Sequence, residues 1–319
     1  MRLVGAGLLL LLPLMVASLG VGAARIELGA VLTDPWAALV MMESRLPRTL
    51  AVVLTGAALA VAGVVLQALV RNRFVGPETT GTAESAALGL LTITILAPTA
   101  PIWVKMGAAA LAAMLGTAIF IWIIRRLPPR EVMLVPIAGI VLSGVISAVV
   151  TFIGWQTDML QYVSTWLMTG EFSGVIAGRY ELLWIAAAAA ALAWFAADRF
   201  AILGLGDSVA TGLGLSPRAV LRMGLAVVSV VTAMTITTVG MIPFVGLVVP
   251  NIVARLMGDD LRASLPVVAI WGAALLLACD LIGRLVVFPY EIPVGTILGV
   301  LGAGIFLWLL YRRPARATV

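Results

Sequence analysis

Residues 203–222 read LGLGDSVATGLGLSPRAVLR, a polar stretch rich in small residues between two long apolar runs. It carries one acid, Asp207, and two arginines, Arg218 and Arg222, and it breaks at Ser216-Pro217. A chain that lives wholly in lipid needs only a tight turn at such a place. A polar segment of this length reads as a surface offered to a soluble partner, so the nature of the flanking apolar runs decides the fold.

Those runs dominate the chain. Hydrophobic residues make up 62% and charged residues 11%, with a mean hydropathy of +1.16, whereas soluble domains carry about 25% charge. The fold class is therefore all-α, a polytopic membrane protein, because open strands cannot satisfy their backbone polar groups in lipid. A helix needs roughly 20 mostly apolar residues to cross the hydrocarbon layer. Candidate spans lie at 3–22, 49–70, 86–97, 102–124, 132–155, 182–197, 219–240, 244–257, 264–283 and 293–311, about ten transmembrane helices. The third and eighth are short and are expected to be shielded by neighbours, and 161–170 suggests a small surface helix. Spans 2–5 and 7–10 each read long, short, long, long from opposite sides, an inverted repeat of the kind transporters use, with coincidence of lengths as the other reading. No polar stretch is long enough for a separate core, so 1–319 is expected to be one transmembrane domain.

Of the 20 basic residues, all but Lys105 are arginines at the ends of apolar runs. With both termini in the cytoplasm, fourteen fall inside and six outside: Arg25, Arg45, Arg48, Lys105, Arg179 and Arg284. This positive-inside bias puts 203–222 in the cytoplasm and accounts for the basic balance without nucleic acid. The opening MRLVGAGLLLLLPLMVASLGVGAA also fits a cleavable signal peptide. It is read as a span, because its removal leaves an odd number of spans and spoils the charge balance.

The chain lacks the parts that most catalytic chemistry requires. Its single lysine follows no glycine-rich loop, so it has no phosphate-binding loop and cannot hydrolyse ATP itself. It has no histidine and one cysteine, Cys279, which excludes disulfides and zinc-type clusters. The acids Glu84, Asp280 and Glu291 fall near span ends, where an ion relay is not expected. An ion-coupled secondary transporter and an intramembrane enzyme are thereby disfavoured against a transporter driven from outside the chain.

Four blocks then carry a resemblance: RLPRTLAVVLTGAALAVAGVVLQALVRN at 45–72, GDSVATGLGL at 206–215, GMIPFVGLVVPNIVARLMGDDLR at 240–262 and EIPVGTILGVLGAGIFLWLL at 291–310. In order and spacing they resemble the FecCD family, the permease subunits of bacterial ABC importers for iron siderophores, haem and vitamin B12. The resemblance implies a type II importer fold of ten helices like that of cobalamin permeases, in the bacterial cytoplasmic (inner) membrane. It implies these partners: a cytoplasmic ABC ATPase dimer carrying ATP and Mg, a second identical or homologous permease subunit, and a periplasmic or lipid-anchored binding protein. No cofactor is implied for this chain. Pro250-Asn251 stands where most members have Pro-His, and Asn72-Arg73 where many have Asn-Pro. Both departures are similar to the branch serving catecholate and related siderophores such as petrobactin, anguibactin or vibriobactin, which implies a ferric siderophore as cargo, with haem or cobalamin as the alternative.

The resemblance also implies residue roles. The segment Gly206, Asp207, Ala210, Gly212, Leu213, Gly214 and Leu215 matches the coupling helix that meets the ATPase. Its small residues admit close approach, its leucines offer apolar contact, and Asp207 suits the positive end of the helix dipole. Arg45, Arg48 and Arg284 match arginines that receive acidic side chains of the binding protein, which guanidinium pairs bidentately; snorkelling to headgroups is the alternative. Gln67, Ser143, Ser147 and Thr151 are the polar candidates for the translocation pathway, against a plain packing role. The charge asymmetry has a direct test: in a Cys279→Ser background, a cysteine at Thr318 is expected to react only from the cytoplasm and one at Asp158 only from outside, and labelling of both from outside overturns this topology.

Overall fold

The computed structural model describes residues 2–22, 28–127, 134–167, 169–258 and 260–311. Arg25, Arg130, Arg312, Arg313 and Arg316, counted in the charge asymmetry, and Thr318 lie outside these residues. The described residues contain no strand. The helices are α1 (Arg2–Gly20), α2 (Pro35–Val40), α3 (Leu46–Val70), α4 (Thr82–Leu96), α5 (Ile102–Ile124), α6 (Leu134–Gln156), α7 (Leu182–Phe195), α8 (Ala197–Gly204), α9 (Asp207–Gly212), α10 (Pro217–Val239), α11 (Val245–Met257), α12 (Leu261–Leu285) and α13 (Val294–Tyr311). Six of the helical segments are long and apolar enough to cross a membrane, α7 with α8 forms a bent seventh, and α4, α11 and α13 are shorter apolar helices. Together they occupy the ten runs expected from the sequence.

The first difference is the length of the second run, expected from residue 49. Helix starts at Pro35, where the Asp34 side chain accepts from the Trp36 N–H at 3.0 Å. It then passes through a π-turn at Met41–Arg45 into α3, giving 36 helical residues. The Pro47 of RLPR looks like a helix start, since proline suits the first turn. Here it lies inside the helix. Proline deprives the carbonyl four residues back of its donor, and that carbonyl, of Glu43, accepts instead from the Ala177 N–H at 3.0 Å. The π-turn takes up the remaining misfit. A second difference is the run 182–197, which breaks at Ala196 and bends by 64° into α8. The surface helix expected at 161–170 is a π-helical turn, Tyr162–Leu167.

Helix α3 is the enclosed centre: its span is 83% buried, against 17% for α1 and for α6. It packs on α12 and α11, while α10 packs on α5 and α4. Each long first helix of a quartet thus lies on the second and third helices of the other quartet, the reciprocal pairing an internal repeat produces. Between helices in lipid there is no hydrophobic drive, so small residues that allow close approach provide the packing. At α3–α12 the backbones of Gly56 and Gly272 meet. At α3–α11 a Cβ added to Gly63 would lie 1.9 Å from the Gly246 carbonyl oxygen.

Because that obstacle is backbone, Gly63→Ala is expected to push α3 from α11 and cost about 1–3 kcal/mol. A thermal melt in detergent should show the loss. Gly107→Ala, where a Cβ meets nothing within 4 Å, is the control and should not lower stability.

Candidate functional site

The polar chemistry gathers at the two ends of α3, separated by the ~35 Å that the helical rise gives from Arg48 to Arg71. At the first end lies α9. Gly206, with φ of 130°, turns the chain out of α8 in a conformation that side chains rarely adopt. Helix α9 closes with a Schellman motif: Leu215 N–H donates to the Ala210 carbonyl at 2.9 Å and Gly214 N–H to that of Thr211 at 3.0 Å, with Gly214 left-handed at φ 78°. Ser216 and Pro217 then start α10. Of α9 only Ala210 is buried. Val209 of α9 is exposed, as are Leu205 and Leu213 on either side of the helix. Leu213 was among the expected contact residues, while Leu205 and Val209 were not. Gly212 faces open space, with nothing within 4 Å of an added Cβ.

Asp207 was expected near the helix start and is the first residue of α9; Gly206 is the cap residue, and no side chain caps the helix. Asp207 Oδ1 pairs with Arg71 and its Oδ2 lies 3.9 Å from Arg125 Nη2. Beside it a cavity of about 460 Å³ opens between α3, α8, α11 and α12, lined by Gln67, Arg71, Arg73, Gly204, Pro250 and Ser264 among others. Here the two departures from the family pattern meet: Asn251 Nδ2 donates to the Arg73 carbonyl at 2.7 Å and to that of Leu247 at 2.7 Å.

At the other end, the three arginines expected to dock a partner are bound within the chain. Arg45 is 5% exposed and donates to the carbonyls of Leu19 at 2.7 Å and Gly20 at 3.1 Å. Arg284 is 4% exposed and donates to the carbonyls of Ser18 at 3.1 Å and Val21 at 3.0 Å, to Ser18 Oγ at 2.6 Å, and to Asp280. Both guanidiniums thus bind the C-terminal carbonyls of α1, where the helix dipole favours a cation. Arg48 bridges the wholly buried Asp280 at 2.8 Å and the partly exposed Glu291 at 2.8 Å. Of the three, Arg48 with Glu291 lies nearest the surface. The sequence showed three arginines on the unexpected side of the charge bias; it did not show that Asp280 lies between two of them.

The pathway candidates are not brought together. Gln67 on α3 donates to the carbonyls of Val75 at 3.2 Å and Gly246 at 3.3 Å. The Gly246 carbonyl is the one that Pro250 strips of its donor. Ser143, Ser147 and Thr151 share one face of α6, which packs on α4 and α5. Ser143 is buried and accepts from the Gly81 N–H at 2.8 Å, while Thr151 is exposed and bonds back to the Ser147 carbonyl at 2.9 Å. Two carboxylates, one of them unremarked in the sequence, sit at helix starts in the interior: Glu78 Oε1 accepts from the Phe244 N–H at the head of α11 at 3.1 Å, and buried Glu84 lies in the first turn of α4. Both short helices therefore begin against an acid, the favourable end for one.

Comparison with known proteins gives the following. The model of the FecCD transport family matches residues 9–312. The petrobactin import system permease protein YclN of Bacillus subtilis (strain 168) is 41% identical over 87% of this chain and 87% of its own. The ferric-anguibactin transport system permease protein FatD of Vibrio anguillarum (strain ATCC 68554 / 775) is 41% identical over 92% of this chain and 94% of its own. In fold, a solved metal-chelate type ABC transporter in an inward-facing conformation superimposes with a TM-score of 0.82 at 24% identity, covering 97% of this chain and 99% of that one.

Removing one member of a buried ion pair strands the other, at a cost of about 3–5 kcal/mol. Asp280→Asn leaves Arg48 and Arg284 facing each other without their shared carboxylate. It is expected to lower the amount of monodisperse protein recovered in detergent far more than Glu291→Gln, whose position is 30% exposed; equal recoveries would show that the Asp280 bridge is not what holds α1, α3 and α12 together.

Proposed function

Because the chain belongs to the FecCD transport family, we propose that it is the permease subunit of an ATP-driven ABC importer whose cargo is a ferric siderophore. The petrobactin and anguibactin permeases among its relatives support that cargo class. The observation that carries the mechanism is the exposure of three apolar side chains, Val209 on α9 and Leu205 and Leu213 beside it, around a short helix made mostly of small residues. Such a face fits a groove on a soluble protein, and with both termini cytoplasmic that protein is the ATPase dimer, which holds the ATP and Mg. Gly206, Asp207, Ala210, Gly212, Leu213, Gly214 and Leu215 form the coupling segment on this reading, and the chain itself performs no covalent chemistry.

The opposite end faces a periplasmic or lipid-anchored binding protein. There Arg48, with Glu291 beside it, is the proposed docking charge, while Arg45 and Arg284 hold the end of α1 in place beneath it. A second permease subunit completes the pore along the apolar, largely exposed face of α6, where Ser147 and Thr151 are the polar pathway candidates of that helix. Apolar walls with few hydroxyls suit a bulky chelate, because tight binding inside would slow its release.

Gly212 gives the cleanest test, since a Cβ added there meets nothing within 4 Å. In proteoliposomes containing the full importer and its binding protein, Gly212→Trp is expected to abolish uptake of radiolabelled ferric petrobactin while the subunit still inserts and remains stable. Unchanged uptake would show that α9 is only a linker.

A further inference from the structure

Asp207 is 52% exposed and Arg71 44% exposed, and exposed ion pairs contribute little to stability, about 0–1 kcal/mol. What this pair contributes is position. Arg71 is the left-handed residue, φ 54°, that ends α3, and Arg125 is the residue that ends α5. One carboxylate at the first residue of α9 therefore spans the last residues of two long helices, with a different oxygen toward each. Arg71 adds a second link, its Nε donating to the Leu203 carbonyl at 3.3 Å, at the end of α8. With Ala210 as its one buried residue, α9 has few other ties to the bundle.

The geometry points to Asp207 as a positioning residue that transmits displacement of α9 to α3 and α5: the Arg71–Asp207–Arg125 bridge is a latch between the coupling helix and the helices it must move. This rests on the reading of α9 as the coupling helix. A latch of exposed charges suits the task, because it is weak enough to re-form in another geometry during each cycle, where buried packing is not. Helix α3 is the appropriate receiver, since it is the enclosed centre of the bundle and its far end carries Arg48, bound to Asp280 and Glu291.

The test uses the reconstituted complex with its ATPase and binding protein, and reads ferric petrobactin transported per ATP hydrolysed. Arg71→Gln and Asp207→Asn are each expected to lower that ratio about fivefold, the factor corresponding to about 1 kcal/mol, while the ATPase still co-purifies. Asp207→Arg, facing two arginines, should be worse, and adding Arg71→Asp to it should recover part of the loss, a coupling that a residue acting alone would not show. If both neutral variants keep the parental ratio while Gly212→Trp uncouples, the latch is wrong and the coupling helix stands. If Gly212→Trp also keeps the parental ratio, the coupling reading fails and takes the latch with it. Loss of ATPase co-purification in Arg71→Gln or Asp207→Asn would mean these residues hold the partner directly, which also overturns the latch.

Discussion

In hydrocarbon there is no water to bond a backbone carbonyl that has lost its donor, so every such group must be met by another part of the protein. Among the prolines inside helices, Pro47, Pro250 and Pro266 each release one that is met from elsewhere in the chain. The Glu43 carbonyl takes the Ala177 N–H, that of Gly246 takes Gln67 Nε2, and that of Arg262 takes Trp194 Nε1 at 3.2 Å. These bonds tie the extended α2–α3 helix to the segment before α7, α11 to α3, and α12 to α7. The helices can approach closely enough for this only where side chains vanish, as at Gly63 against the Gly246 carbonyl. Proline and glycine here are one device: the first frees a bonding group and the second lets a neighbour come near it.

This device explains which parts of the fold were legible in the sequence. Apolar runs report lipid contact directly, so all ten segments were readable, though not where the second begins. Pro47 was misleading because the local rule that proline opens a helix is sound, and only the tertiary donor from Ala177 lets the helix run through it. Gln67 invited a pathway role because a polar side chain in an apolar run calls for a reason. Its reason is the carbonyl released by Pro250, 183 residues further along the chain. The segment proposed to couple stood out by its polarity and motif. That Leu205, Val209 and Leu213 are exposed on an excursion after α8 was not legible, because apolar residues beside apolar runs look like part of the core. The two departures from the family pattern touch in space, the Asn251 amide donating to the Arg73 carbonyl, a proximity the sequence could not show.

The charges divide by burial into two kinds with different consequences. Asp280, shut away between Arg48 and Arg284, is costly to leave unpaired, since the full desolvation of a carboxylate stands behind the interaction. Such a bridge fixes one arrangement of α1, α3 and α12 and resists change. Asp207 sits in water between Arg71 and Arg125, where solvent replaces a lost partner at little cost. Such a bridge specifies a contact without freezing it. A machine that must hold its outer end ready for a partner, while its inner end follows another through repeated cycles, needs the first kind at one end of α3 and the second kind at the other. That is the distribution of charge along this helix, and under the proposed latch it is what lets α3 relay events at one face of the membrane to the other.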